Sequence, residues 1–117
     1  MPLRHENLIA WQRADDLVVE IRKLTKSNFP IDERFELSSQ SRRAAFSVAA
    51  NIVEGVARRA PKERKRFLNI AEASLAELGY CLHVAKRLGY LDADLYSKLD
   101  LQVRRAAAPL VGLIRSQ

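Results

Sequence analysis

Between Gln40 and Phe67 the chain reads QSRRAAFSVAANIVEGVARRAPKERKRF, and the first part of that run is not an ordinary surface helix. On a wheel at about 100° per residue, Leu37, Ala44, Ala45, Val48, Ala49, Ile52 and Val56 form one apolar face. Phe46, Ala50, Val53 and Ala57 form a second apolar stripe on the far side, at steps of four, three and four. A polar ribbon of Gln40, Arg43, Ser47, Asn51, Glu54 and Arg58 runs along one flank between them. A surface helix needs one apolar face. A helix with two enters its own core with one and leaves the other for a partner, because an apolar strip left in water marks an interaction surface. The expectation is self-association through Phe46, Ala50, Val53 and Ala57. The alternative is that a loop or the N-terminal arm of the same chain covers them.

The remaining elements follow from three-four spacing and from punctuation. Helix 1 is expected from about Leu8 to Lys26, with Ala10, Ala14, Leu17, Ile21 and Leu24 inward. Asn28, Phe29 and Pro30 end it, because Pro cannot continue a helix. Helix 2 starts near Glu33 or Leu37 and runs to Arg59. Pro61 suits the first turn of helix 3, which runs to Leu88. Its apolar arc of roughly 200° is wider than the ~100° a surface helix needs. Gly89 is placed for a left-handed helix end, with Tyr90 supplying the apolar contact. Asp92 caps helix 4, which passes through Leu95, Leu99, Val103, Ala106, Leu110 and Leu113. Pro109 inside it removes a hydrogen bond and predicts a kink near Arg105.

Short connections make neighbouring helices antiparallel, and no segment shows sustained strand alternation. The fold class is all-α: one domain over residues 1–117, an up-down-up-down four-helix bundle. The 117 residues include only 4 Gly and 4 Pro, which favours helices. A core of this size is modest by surface-to-volume scaling, so self-association would help it. The lone Cys81 fits a reducing compartment. The opening MPLRHENL lacks a signal-like apolar core, and no apolar run is long enough to span a bilayer. A cytoplasmic location is expected.

The net charge of +6 is concentrated in one place. Arg58, Arg59, Lys62, Arg64, Lys65 and Arg66 are opposed only by Glu63, which accounts for five of the six surplus charges. Arg58 and Arg59 suit a helix C-terminus. Lys62, Arg64, Lys65 and Arg66 crowd the first turns of helix 3, where the helix dipole disfavours cations. A cluster placed against local preference points to an anionic partner, and nucleic acid is the candidate. Phe67 is the only aromatic nearby, which favours phosphate contact over base stacking. The other reading is a solvated charged loop. The polar ribbon is read as a hydrogen-bonded seam that fixes helix register, with a catalytic pocket at Asn51 and Glu54 as the alternative. His5 and His83 are isolated, so a di-metal carboxylate centre with paired Glu-x-x-His motifs is not encoded. No cofactor or metal is expected, and enzyme status is disfavoured.

Three segments carry a resemblance: LIAWQRADDLVVEI, FELSSQSRRAAFSVAANIVEG and ERKRFLNIAEASLAELGYCLHVAKRLGYL. They resemble the bacterial four-helix-bundle proteins first noted as open reading frames within intervening sequences of 23S rRNA genes. That family includes the accessory protein of diversity-generating retroelements. The match is clearest from Leu8 to Leu91, and its most specific part is QSRRA-x-x-S-V-x-x-NI-x-EG. The resemblance implies a homopentameric ring. The family's retroelement members bind nucleic acid and a reverse transcriptase through a basic surface, and the nucleic acid expected here is RNA or an RNA–DNA hybrid. In this chain that surface would be Arg58, Arg59, Lys62, Arg64, Lys65 and Arg66, with Arg42 and Arg43 as lesser candidates. Two positions depart from the pattern: Ala60, where relatives tend to have a Ser-like cap, and Pro109. Two functions follow from these readings. One is a non-enzymatic RNA-binding accessory protein. The other is a scaffold or adaptor for a protein partner, with no direct nucleic-acid role.

Overall fold

The computed structural model describes residues 4–117. Four helices run α1 (Ile9–Asn28), α2 (Leu37–Ala57), α3 (Pro61–Arg87) and α4 (Ala93–Arg115), with a single 3-10 turn at Ile31–Glu33. They form a four-helix bundle 43 Å long and 25 Å across, in which each helix packs on its neighbours in the order α1, α2, α3, α4 and back to α1.

Side-chain bonds fix the directions. Arg42 Nε donates to Thr25 Oγ1 at 2.7 Å, and Arg4 Nη1 donates to the Val56 carbonyl at 3.4 Å, so α2 descends as α1 climbs. Ser47 and Ser74 share a hydrogen bond of 2.8 Å between α2 and α3. Arg64 Nε donates to Gln117 Oε1 at 2.7 Å, which brings the end of α4 to the start of α3.

Each helix supplies the inward positions its spacing predicts. Ala14, Ile21, Ile52, Leu68, Leu78, Leu82 and Leu110 are fully enclosed in the shared core. Alanines at Ala44, Ala45, Ala71 and Ala85 keep the helices close. The closest approach is at Gly55 in the NIVEG run. A Cβ there would sit 3.1 Å from the Arg64 carbonyl oxygen, 3.2 Å from Phe67 Cβ and 3.3 Å from Leu68 Cγ. Only glycine lets α2 meet the start of α3 without displacing backbone.

Two boundaries differ from the sequence expectation by two residues each. Helix α1 continues to Asn28. Helix α2 begins at Leu37, the later of its two expected starts, because Ile31–Glu33 forms its own short turn behind Pro30. It ends early, at Ala57, because Arg58 takes extended geometry with ψ of 146°. Arg58 and Arg59 therefore belong to the α2–α3 turn and not to helix 2.

Pro109 does not interrupt α4, which is helical from Ala93 to Arg115. Proline lacks the N–H that would bond the carbonyl four residues back, at Arg105. Arg13 of α1 fills that vacancy: its Nη1 donates to the Arg105 carbonyl at 2.6 Å. The orphaned acceptor becomes a tie between the first helix and the last.

Candidate nucleic-acid interface and self-association surface

The basic corner lies at the end of the bundle where α2 turns into α3. Arg59, Lys62 and Lys65 are exposed and make no ion pair among the described residues. Arg58 pairs with Glu54 at 3.1 Å and Arg66 with Glu63 at 3.3 Å, both at the surface. Exposed pairs of this kind contribute little and break easily. The Arg58 and Arg66 guanidinium carbons lie 4.8 Å and 5.3 Å from the centroid of the half-buried Phe67 ring. The ring holds two cations in place at the rim of the turn.

Arg64 behaves differently from its neighbours. It is half-buried, and its Nη1 donates to the Arg58 and Arg59 carbonyls at 3.2 Å and 2.6 Å. With the bond to Gln117 these contacts hold the α2–α3 turn against the end of α4. Arg64 thus has a structural task that the charge pattern alone did not reveal. Its position one turn after Pro61, facing back toward the preceding carbonyls, is the signal that was available.

Arg42 and Arg43 do not join the corner. Arg42 lies 16 residues before Arg58, which is ~24 Å along a helix. Its Nε is bonded to the buried Thr25, and Arg43 stands exposed beside it. Both border the second apolar stripe instead, where Val18, Arg22, Arg42, Arg43 and Phe46 line an open hollow between α1 and α2. Sequence reasoning also missed two residues that the topology delivers to the corner. Arg4 arrives beside Val56, and with His5 and Arg59 it borders a shallow cavity of about 360 Å³. Arg115 ends α4 at the same end of the bundle.

On the second stripe, Phe46 is 64% exposed, Ala57 is exposed, and Ala50 and Val53 are half-buried. No loop of the described chain lies over Phe46. His5 packs its ring on Trp11, with centroids 4.6 Å apart, so the described part of the N-terminal arm folds onto α1 and the Val53–Ala57 end of the stripe.

The polar ribbon splits in two. Asn51 Nδ2 donates to the Ser47 carbonyl and to Ser47 Oγ at 2.8 Å and 3.0 Å, and Ser47 reaches Ser74, giving a bonded seam between α2 and α3. Gln40, Arg43, Glu54 and Arg58 are exposed and outside that seam. Further along the same groove, burial pushes the Cys81 thiol above its ordinary range, with a hydrogen bond from Ser41 pulling the other way. The Tyr90 hydroxyl donates to Glu33 Oε2 at 2.8 Å, which raises the phenol. Among the described residues no helix is long and apolar enough to cross a membrane.

The molecule is thus an antiparallel all-α bundle with one cationic end and a second apolar stripe that lies open at Phe46. The chain belongs to the family of 23S rRNA-intervening sequence proteins, whose model matches residues 6–112. Its fold is similar to the crystal structure of a protein of unknown function from the S23 ribosomal protein family of Bacteroides thetaiotaomicron. That likeness has a TM-score of 0.84 at 23% identity, over 92% of this chain and 99% of that one. No curated protein matches the chain.

Proposed function

We propose that this chain is a non-enzymatic, cytoplasmic accessory protein that binds structured RNA through its basic corner. It does so as a homo-oligomeric ring, a pentamer as the family resemblance implies, assembled through Phe46, Ala50, Val53 and Ala57. The observation that carries the reading is the set of unpaired cations Arg59, Lys62 and Lys65 on the first turns of α3 and the turn before it. Stability alone would place acids at the start of that helix. Phosphates satisfy these cations without any base-specific contact. A ring multiplies the corner around its axis, so several weak contacts add to one strong one.

The test is RNA affinity measured against salt concentration. Each phosphate contact contributes a slope of about −0.7 to −0.9 on logarithmic axes. Lys62→Glu, Lys65→Glu and Arg66→Glu together should flatten that slope by ~2–3 and lower affinity about a hundredfold or more at low salt. A parent protein whose binding ignores salt, or a triple variant that binds as well as the parent, overturns the RNA reading. A stoichiometric protein partner retained after nuclease treatment, with no measurable RNA affinity, would favour an adaptor role.

A further inference from the structure

A ring needs two different surfaces on each copy, one to give and one to receive. The Phe46 stripe is one of them. We propose that the other is the α2/α3 face of the neighbouring copy, with Phe46 seated over Ala73 and the basic border of the stripe set against Glu77. The inference rests on the self-association proposed above and adds which surface receives the stripe.

Helix α3 carries its own outward apolar line. Ile70, Ala73, Tyr80, Val84 and Leu88, with the acidic Glu77 among them, recur at three-four spacing away from the core, and Ile70, Tyr80 and Leu88 are 40%, 67% and 53% exposed. This accounts for the breadth of the apolar arc on that helix. Val84 and Leu88 continue into a groove bordered by Glu33 and Glu36. The stripe is apolar with a cationic border of Arg22, Arg42 and Arg43. Glu36 lies six residues before Arg42, about 9 Å further along at ~1.5 Å per residue, so the acid of this face that stands at the level of the arginines is Glu77. If stripe packed against stripe about a two-fold axis parallel to the bundle, those three arginines would meet their own copies, and like charges brought together at an interface are strongly disfavoured.

The heights also match. Ser47 and Ser74 are bonded across α2 and α3 and give a common level. Arg43 lies four residues from Ser47 toward the start of α2, and Glu77 lies three from Ser74 toward the end of α3. At 1.5 Å per residue these are displacements of ~6 Å and ~4.5 Å in the same direction. Counted from the Arg42–Thr25 bond, Arg22 falls about 3 Å along the same way. Arg22 and Arg43 thus bracket the level of Glu77. Phe46 and Ala73 are within ~3 Å of one another in height by the same rise. Ala73 is small and exposed, with Ile70 and Tyr80 on either side along the helix. Asp15, an acid on the stripe's own face, comes to the level between Ile70 and Arg66, where the receiving face turns basic.

A rotation about an axis parallel to the bundle, with no sliding, brings these levels together. The two faces share α2 and are adjacent sides of a square bundle, about a right angle apart. Contacts on adjacent sides close into a small ring, whereas contacts on opposite sides would extend into a filament.

Two exposed substitutions test the pairing. Phe46→Glu removes the giving surface and leaves the receiving one, and Ala73→Glu does the reverse. Each variant should sediment as a single 13.3 kDa chain with unchanged helical circular dichroism. Mixed in equal amounts, the two should form a one-to-one dimer of twice that mass, because one intact pair of surfaces remains. Parental assembly by Ala73→Glu alone, or a mixture that stays monomeric, overturns the pairing and leaves self-association standing. A parent that is itself monomeric overturns the self-association reading on which the pairing rests.

Discussion

The two turns that flank α3 are built on different terms. At its C-terminal end every local preference is met. Lys86 and Arg87 sit in the last turn, where the dipole favours cations. Gly89 takes a φ of 81°, the Tyr90 N–H donates to the Ala85 carbonyl, and the Gly89 N–H donates to the Lys86 carbonyl, which together make a full left-handed helix end. The Tyr90 ring then packs on Phe29. Asp92 Oδ1 accepts from the Leu95 N–H at 2.8 Å and starts α4. At the N-terminal end of α3, by contrast, Ala60 supplies no side-chain cap and cations dominate the first turns. That turn is held by distant means: Arg64 on the carbonyls of Arg58 and Arg59, and the close approach at Gly55. One turn is assembled from its own residues. The other depends on tertiary contacts and leaves Arg59, Lys62 and Lys65 exposed at the surface.

That contrast can be broken or sharpened by mutation. The largest effect is expected from Gly55→Val, which drives a branched side chain into the Arg64 carbonyl and Phe67. We expect a loss of ~2–3 kcal/mol in denaturant unfolding. A near-neutral result would show that the α2–α3 turn does not rely on that approach. Next come Gly89→Ala and Asp92→Ala. They should cost about 1 kcal/mol each, from a strained left-handed residue and a lost cap respectively. RNA affinity should be unchanged in both, since the turn they alter is at the far end of α3. The smallest effect has the opposite sign. Lys62→Glu puts an acid in the first turn of α3, so thermal unfolding should move slightly upward while RNA binding weakens. A fall in thermal stability would mean that Lys62 is held by the fold, and the difference between the two turns would disappear.

What was legible in the sequence follows the same division. The Gly89 and Asp92 ends were readable because their bonds close within a few residues. The core faces of all four helices were readable because burial on one side leaves a three-four record. The second stripe on α2 was readable from the same three-four spacing, although Phe46 and Ala57 lie exposed. Features that depend on chain reversal were not. Nothing local says that Arg42 reaches Thr25 on another helix, or that Arg4 comes to rest beside Val56. Arg58 and Arg59 looked helical because propensity favours them, yet the Pro61 start of α3 and the hold of Arg64 draw them out of the helix, Arg58 into extended geometry and Arg59 into a bend.

Arg13 on the Arg105 carbonyl has a consequence for how the molecule opens. Helices α1 and α4 are far apart in the chain, yet the backbone defect left by Pro109 is made good only while they remain side by side. Peeling either one away leaves the Arg105 carbonyl of α4 without its donor on α1, as well as exposing leucines. The bundle's first and last segments are therefore coupled in their fraying, and amide exchange in the middle of α4 reports on the docking of α1 as much as on α4 itself.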